Sequence, residues 1–580
     1  MMSDLIIRIG GEGGEGIISA GDMVAEAAAR SGLEILTFKS FPAEIRGGYA
    51  MYQVRFSKDE ILSEGTGFQV FCAFNQEALD KNRSQLVPGT VLVYDYPGGD
   101  IAEEVKIEGV TCYALPMSKI AKKDLDMYRA KNMVALGALS FTFDIALESL
   151  KELVKEKFGR KGQAVVDVNL KAIDAGAHFM RDNHKKTDPY KMGSVAKTGK
   201  DVIIISGNEA VGLGALIAGC NFLSCYPITP ATEVANYLAV RLPKMDGTLV
   251  QAEDEIASLA NVLGASYAGA KAMTSTSGPG LSLMQELLGL ASMAEIPCVI
   301  VDVQRGGPST GLPTKHEQSD LFMACHGGHG DASRVVLSAE NVSDAIELTV
   351  IAFNIAEKYQ TPVLLLTDGS LGFRTESIKR PDPRKYSVVN RDRFKAGGNG
   401  DAPSKYLRYK LTASGVSAMS LPGDAGGAYI STGLEHSESS APSFTPEDHA
   451  RMSDKRFNKL ASVVDFVPPP EVQGDGPADL GVISWGSTLG TVREAVNQAR
   501  AQGLKVKALH PKLVWPLQEK QIKAFASTCK KILVPEVNKQ GQFAEILRGK
   551  TGVDAISYPI YGGLPFSPKQ ILEKIKEVLK

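Results

Sequence analysis

At 580 residues the chain is too long for one hydrophobic core and predicts three to four domains. Its 44% hydrophobic and 22% charged content is that of soluble globular protein, and 64 Lys plus Arg against 66 Asp plus Glu give a net charge of −2, which argues against nucleic acid as a partner. No apolar run reaches membrane-spanning length, MMSDLIIRIGG enters a short strand without a signal-peptide core, and the seven cysteines form no CxxC pair, so the chain predicts a cytoplasmic protein that binds no metal or iron–sulfur cluster itself.

Residues 1–190 predict a first α/β domain. DLIIRIG reads as a buried strand, GIISAGDMVAEAAARSG as a helix ending at Gly32, and LEILTF, AMYQVRFS and GTVLVYD as further strands. Between the first strand and helix lies GGEGGEG, in which Gly11, Gly13 and Gly16 satisfy GxGxxG. A nicotinamide-dinucleotide site wants an acid at the end of the second strand, but TFKSF places Lys39 there. Glu12 and Glu15 also set negative charge beside the amides that would cradle a pyrophosphate. The motif predicts a structural turn or another phosphate-bearing ligand, with a nucleotide-dependent dehydrogenase as the alternative.

The polar stretch HKKTDPYKMGSVAKTGK reads as a linker. A second α/β domain, residues 200–380, opens with DVIIISGNEAVGLGALIAGC and contains TPVLLLTDG. Residues 381–470 are rich in Pro, Gly, Ser and basic residues, and predict a structured excursion longer than an ordinary loop. Residues 471–580 predict a third α/β unit. Two further motifs read as loops. GDG at 474–476 resembles the magnesium-diphosphate motif of thiamine diphosphate enzymes, but follows VPPPEVQ, precedes Pro477 and has no Asn-Asn pair downstream. His326 and His329 are separated by flexible glycines.

The second domain carries four motifs in order: CYPITPATEV, QAEDEIASLANVLGA, TSTSGPG and VQRGGPSTGLPTKHEQSD. Pro227 and Pro230 stiffen a corner that presents Thr229. Ala257, Ala260, Gly264 and Ala268 form a small-residue helix face and leave Glu255 at the helix start, near the positive end of its dipole. Arg305 follows the buried run CVIVDVQ, at the carboxyl end of a strand, where ligands sit in parallel α/β sheets.

This set resembles the α subunit of the 2-oxoacid:ferredoxin oxidoreductases, closest to the 2-oxoglutarate type, over nearly the whole chain. GGEGGEG with FPAEIRGGYAMYQVRFS is similar to the family's γ domain, here fused ahead of α. YPITP, EDEIAS, TSGPG and VQRGGPSTGLPTKHEQSDL are similar to its pyrimidine-binding domain. VISWGSTLGTVREAV and VPEVNKQGQFAEILRG are similar to a transketolase C-terminal-like domain.

The resemblance implies a thiamine diphosphate cofactor shared with a β subunit that carries the magnesium, the diphosphate motif and a four-iron four-sulfur cluster. It also implies ferredoxin as acceptor, coenzyme A as substrate, and a dimer of αβ heterodimers. On the matching positions it implies that Glu255, or as the alternative Glu253, hydrogen-bonds the aminopyrimidine, with Tyr226, Pro227 and Ile228 beside the cofactor. Thr229 and Arg305 would hold the substrate carboxylate and Thr314 would line the pocket. Lys315 is a candidate for a distal carboxylate. Pyruvate or a branched 2-oxoacid is the alternative substrate.

Overall fold

The computed structural model describes residues 4–42, 47–192, 201–395 and 406–580. The chain divides into two compact units, Met1–Ile205 with Phe373–Arg380 and Ser567–Lys569, and Ser206–Gly372 with Pro381–Phe566 and Gln570–Lys580.

The first unit is built on an eight-stranded sheet in the order Thr111–Ala114, Val91–Tyr94, Val70–Ala73, Asp4–Glu12, Tyr49–Ser57, Glu34–Ser40, Thr375–Lys379, Val202–Ser206. Its first four strands run parallel. Tyr49–Ser57 then pairs antiparallel to Asp4–Glu12, from Asp4 opposite Ser57 to Glu12 opposite Tyr49. Thr375–Lys379, far along the chain, joins this sheet through Glu376 opposite Leu36. Helices Lys131–Phe143 and Gln163–Asn183 cross at backbone contact. A Cβ on Gly137 would stand 1.9 Å from the Ile173 carbonyl oxygen, and one on Gly176 would stand 2.0 Å from that of Val134.

The glycine-rich segment is a turn closed on itself. Gly13 N–H donates to the Gly48 carbonyl at 2.9 Å and Gly47 N–H to that of Gly13 at 3.2 Å. Glu15 accepts from the Glu12 N–H at 2.7 Å and pairs with Lys131 at 3.0 Å, so its charge is neutralised within the fold.

The second unit holds two sheets. One has seven strands, in the order Leu513–Trp515, Val335–Ser338, Pro362–Asp368, Cys298–Gln304, Ala272–Thr276, Phe222–Cys225, Thr248–Gln251. All are parallel except Leu513–Trp515, which runs antiparallel at the edge. Every residue of Cys298–Gln304 is buried, as expected for a central strand covered on both faces. The other sheet has five strands, in the order Glu471–Gln473, Val506–His510, Ala478–Ile483, Cys529–Glu536, Ala555–Pro559. GDG lies in the turn between Glu471–Gln473 and Ala478–Ile483, with Asp475 almost fully exposed beside Arg500 at 3.2 Å.

Among the described residues of 381–470, charged side chains tie the excursion to other elements. Arg391 donates to the carbonyls of Ser266 and Ala270 at 2.5 and 2.8 Å and pairs with Glu357. The helix Pro446–Phe466 sends Lys455 and Lys459 onto Glu295, which is 1% exposed; Lys455 lies at 2.7 Å. These two ammonium groups hold the Glu295 carboxyl well below the usual carboxylate range against the opposing effect of burial.

Candidate active site

The site lies at the carboxyl ends of the central parallel strands of the second unit. Phe222–Cys225 leads into the proline corner, Ala272–Thr276 into the SGPG turn, and Cys298–Gln304 into Arg305. Thr248–Gln251 leads through Glu253 and Asp254 to the helix Glu255–Tyr267. Parallel strands aim all these loops the same way, which brings distant sequence motifs together.

The three neighbouring acids of EDE take three environments. Glu253 is exposed, Asp254 caps the helix by accepting the Ala257 N–H at 2.7 Å, and Glu255 turns inward, 6% exposed. Burial pushes the Glu255 carboxyl up and Asp254 adds to that, while a backbone N–H and the Arg305 charge oppose it. The carboxylate rests in a space that only glycine leaves. A Cβ on Gly280 would stand 2.5 Å from Glu255 Cγ and 2.7 Å from its Oε1.

The corner is pinned from below. Asn208 Nδ2 donates to the Pro230 carbonyl at 2.8 Å, and the N–H groups of Ala231 and Thr232 both donate to the Ile228 carbonyl. The Thr229–Pro230 peptide is cis. Arg305 is buried, and its Nη1 donates to the Thr229 backbone carbonyl at 2.7 Å. Its Nε is buried with no hydrogen-bond partner. Burial lowers the Arg305 pKa, opposed by Asp320 and then Glu255. Thr229, Arg305 and Glu255 are therefore brought together. Thr314 is half-buried in the loop that follows, which closes through Leu312 N–H to the Gly306 carbonyl at 2.7 Å and Gly306 N–H to the Lys315 carbonyl at 3.1 Å. The Lys315 stem runs against Gly563, where a Cβ would stand 2.5 Å from its own Cβ. Tyr226 and Pro227 are exposed and Ile228 is half-buried.

Two features lie beyond the residues singled out from the sequence. The first is a clasp that fixes residues 318–322. Gln318 N–H donates to the Val537 carbonyl at 2.7 Å, and its side-chain Oε1 accepts from Thr488 at 2.8 Å and Val537 N–H at 3.2 Å. Asn538 donates to the Gln318 carbonyl at 3.1 Å, and Gln542 both donates to the Ser319 carbonyl at 2.9 Å and accepts from Phe322 N–H at 3.0 Å. Glu536, buried, accepts the N–H groups of Phe543 and Ala544 and orders the clasp in turn. VPEVNKQGQF thus places its buried amides against the strap that follows Arg305; the signal in the sequence was their density after an apolar strand.

The second is Asp320. A Cβ on Gly278 would stand 2.7 Å from both Asp320 carboxylate oxygens. The two glycines of SGPG therefore seat one carboxylate each, Asp320 at Gly278 and Glu255 at Gly280. Asp320 itself is half-buried, whereas His316 is buried and places Nδ1 3.0 Å from Asp368 Oδ1 beneath the loop.

Comparison with known proteins gives matches along the whole length. Residues 213–454 match the thiamine diphosphate-binding family described as pyruvate flavodoxin/ferredoxin oxidoreductase, residues 6–179 match pyruvate ferredoxin/flavodoxin oxidoreductase, and residues 478–558 match core domain II of pyruvate:ferredoxin oxidoreductase. The 2-oxoglutarate oxidoreductase subunit KorA of Mycobacterium tuberculosis is 32% identical over 615 aligned positions, covering 100% of this chain and 92% of that protein. The 2-oxoglutarate synthase subunit KorA of Methanothermobacter marburgensis is 40% identical over 373, covering 64% of this chain and 97% of that protein. Among solved structures, a 2-oxoglutarate:ferredoxin oxidoreductase from Magnetococcus marinus, with 2-oxoglutarate, coenzyme A and succinyl-CoA bound, is 55% identical with a TM-score of 0.96, covering 100% of both chains.

Proposed function

This chain belongs to the 2-oxoacid:ferredoxin oxidoreductases, and from that premise we infer that it is the α-type subunit, with a fused γ domain, of a thiamine diphosphate-dependent 2-oxoglutarate:ferredoxin oxidoreductase. The enzyme converts 2-oxoglutarate, coenzyme A and oxidised ferredoxin into succinyl-CoA, carbon dioxide and reduced ferredoxin. The observation that carries the residue-level reading is the meeting of Glu255, Thr229 and Arg305 at the carboxyl ends of the parallel strands.

The residues fit the aminopyrimidine end of the cofactor. Glu255 is a buried carboxylate at a helix start, seated against Gly280, as an acceptor for a ring N–H must be. When bound, thiamine diphosphate supplies the nucleophilic carbon and the electron sink of the decarboxylation. Glu255 holds a proton at the ring nitrogen and biases its tautomer. Arg305 offers its remaining guanidinium N–H groups to the substrate carboxylate in planar fork geometry, while the Thr229 carbonyl keeps the fork from turning. The Thr229 hydroxyl meets the same carboxylate, and Thr314 and Lys315 border the pocket farther along the loop.

A β-type partner would contribute the diphosphate and magnesium site and the iron–sulfur cluster. Supporting a partner, large apolar side chains are exposed on each segment that supplies the site: Tyr226 in the corner, Ile256 beside Glu255, Leu283 after the SGPG turn and Leu312 in the arginine loop. In the first unit, a cavity of about 890 Å3 opens at the glycine turn, lined by Gly14 and Glu12 and by the cationic Arg129 and Lys161. We place the phosphates of coenzyme A there. Co-expression with the β-type chain, followed by side-by-side turnover of 2-oxoglutarate, pyruvate and a branched 2-oxoacid, tests the function; faster turnover of either competitor refutes the 2-oxoglutarate reading.

A further inference from the structure

Resting on the oxoacid reading above, we propose that Asp320, beside Asp302, is a positioning residue that sets the charge around Arg305 and gains proton occupancy when a substrate carboxylate docks on the guanidinium.

The geometry fixes Asp320 where it is. Its N–H donates to the Gln304 side chain at 3.1 Å, and its neighbours Ser319 and Phe322 are both held by Gln542. The carboxylate fills the space at Gly278, and its Oδ2 is buried without a hydrogen-bond partner. Asp302 lies two residues before Gln304, so strand alternation puts both on one face. It is fully buried, and neither carboxylate oxygen has a hydrogen-bond partner. Thr276, two residues before Gly278, stands opposite Asp302 in the ladder, so the half-buried Asp320 and the fully buried Asp302 flank the same turn, and charge on one disfavours charge on the other.

Burial, reinforced by Asp320, pushes Asp302 far above the usual carboxylate range. Burial and Glu317 raise Asp320 to about 7, and Arg305 pulls it down. The groups facing the pair are Glu317 from the strap, Arg305 from the strand end, with Glu255 acting on Arg305 from its helix, and the uncharged Ser277–Gly278 turn. The sign follows. A docked substrate carboxylate neutralises Arg305 and removes the pull that lowers Asp320, so its pKa rises and its proton occupancy with it. Substrate therefore binds better to the protonated pair, and its KM rises as pH climbs through the Asp320 pKa.

The test uses the assembled enzyme with its partner subunit and measures KM and kcat for 2-oxoglutarate from pH 6 to 8.5. A one-unit shift of the Asp320 pKa on binding corresponds to a rise in wild-type KM of about tenfold across the titration. Asp320→Asn should flatten that rise and hold KM at pH 8.5 near the wild-type acid-limb value. Glu317→Gln removes the charge that raises Asp320 and should move the rise to lower pH without abolishing it, which a purely structural contribution would not do. An Asp320→Asn enzyme that keeps the wild-type rise overturns the proposal; if that variant does not fold, an unmoved limb in Glu317→Gln does so. An enzyme inactive on every 2-oxoacid instead overturns the activity reading and this inference with it, whereas an active wild type with a flat KM profile overturns the inference alone.

Discussion

Replacing Gly280 by alanine should cripple catalysis by moving Glu255, not by unfolding the chain. The added methyl would stand 2.1 Å from Thr276 Oγ1, 2.5 Å from Glu255 Cγ and 2.7 Å from Glu255 Oε1. Thr276 is fully buried in its strand and Glu255 is 6% exposed, so neither is a loose side chain with open space behind it. Ordinary contact requires the Glu255 carboxylate to retreat by about 1 Å, and a displacement of that size at a reacting group costs roughly 10²-fold in turnover. The packing penalty itself should be about 1–3 kcal/mol, a modest loss for so large an assembly. Gly289 is the internal control: it lies in the helix Gln285–Met293, and a Cβ there meets no atom within 4 Å. Gly289→Ala should leave turnover unchanged and raise stability by up to about 1 kcal/mol. Ferredoxin reduction with 2-oxoglutarate, measured beside thermal unfolding, separates the two effects. A folded Gly280→Ala enzyme with wild-type kcat would refute the seating of Glu255 in that space.

Glu255→Gln keeps the shape but loses the charge, so kcat should fall by about 10²–10⁴-fold with the subunit complex still assembled on size exclusion; undiminished turnover would remove Glu255 from the cofactor. Arg305→Lys cannot both reach the Thr229 carbonyl and grip a carboxylate as a fork, so KM for 2-oxoglutarate should rise at least about tenfold, and an unchanged KM would remove Arg305 from the substrate. Glu295→Gln leaves Lys455 and Lys459 buried without their carboxylate and should destabilise the second unit by about 3–5 kcal/mol; a thermal midpoint equal to that of wild type would show that the cluster does not hold the Pro446–Phe466 helix in place.

The sequence made the strands and the proline corner readable because their causes are local. Apolar runs such as CVIVDVQ announce a buried strand, and the order of YPITP, EDEIAS, TSGPG and QRGG announces loops at the carboxyl ends of parallel strands. Thr375–Lys379 was not readable, because TESIK alternates polar residues and finds its partner in Glu34–Ser40, at the opposite end of the chain. The excursion was opaque for a related reason. Its order comes from Arg391, Lys455 and Lys459 reaching groups on other elements, and charged residues in a loop look the same in sequence whether they are solvated or paired.

The most instructive gap is TSGPG. Read along the chain, its glycines mark a tight turn into a helix, and either could serve that purpose alone. In space, Gly278 and Gly280 are defined by what occupies the positions their missing Cβ atoms leave, Asp320 and Glu255. Neither carboxylate is near the turn in sequence, and Asp320 arrives only because Gln318, Asn538 and Gln542 fasten its strap. The same turn thus seats two acids whose charges both act on Arg305. A substitution at either glycine perturbs chemistry through a residue it never neighbours in the chain, which is why turn propensity alone underestimates what these two positions do.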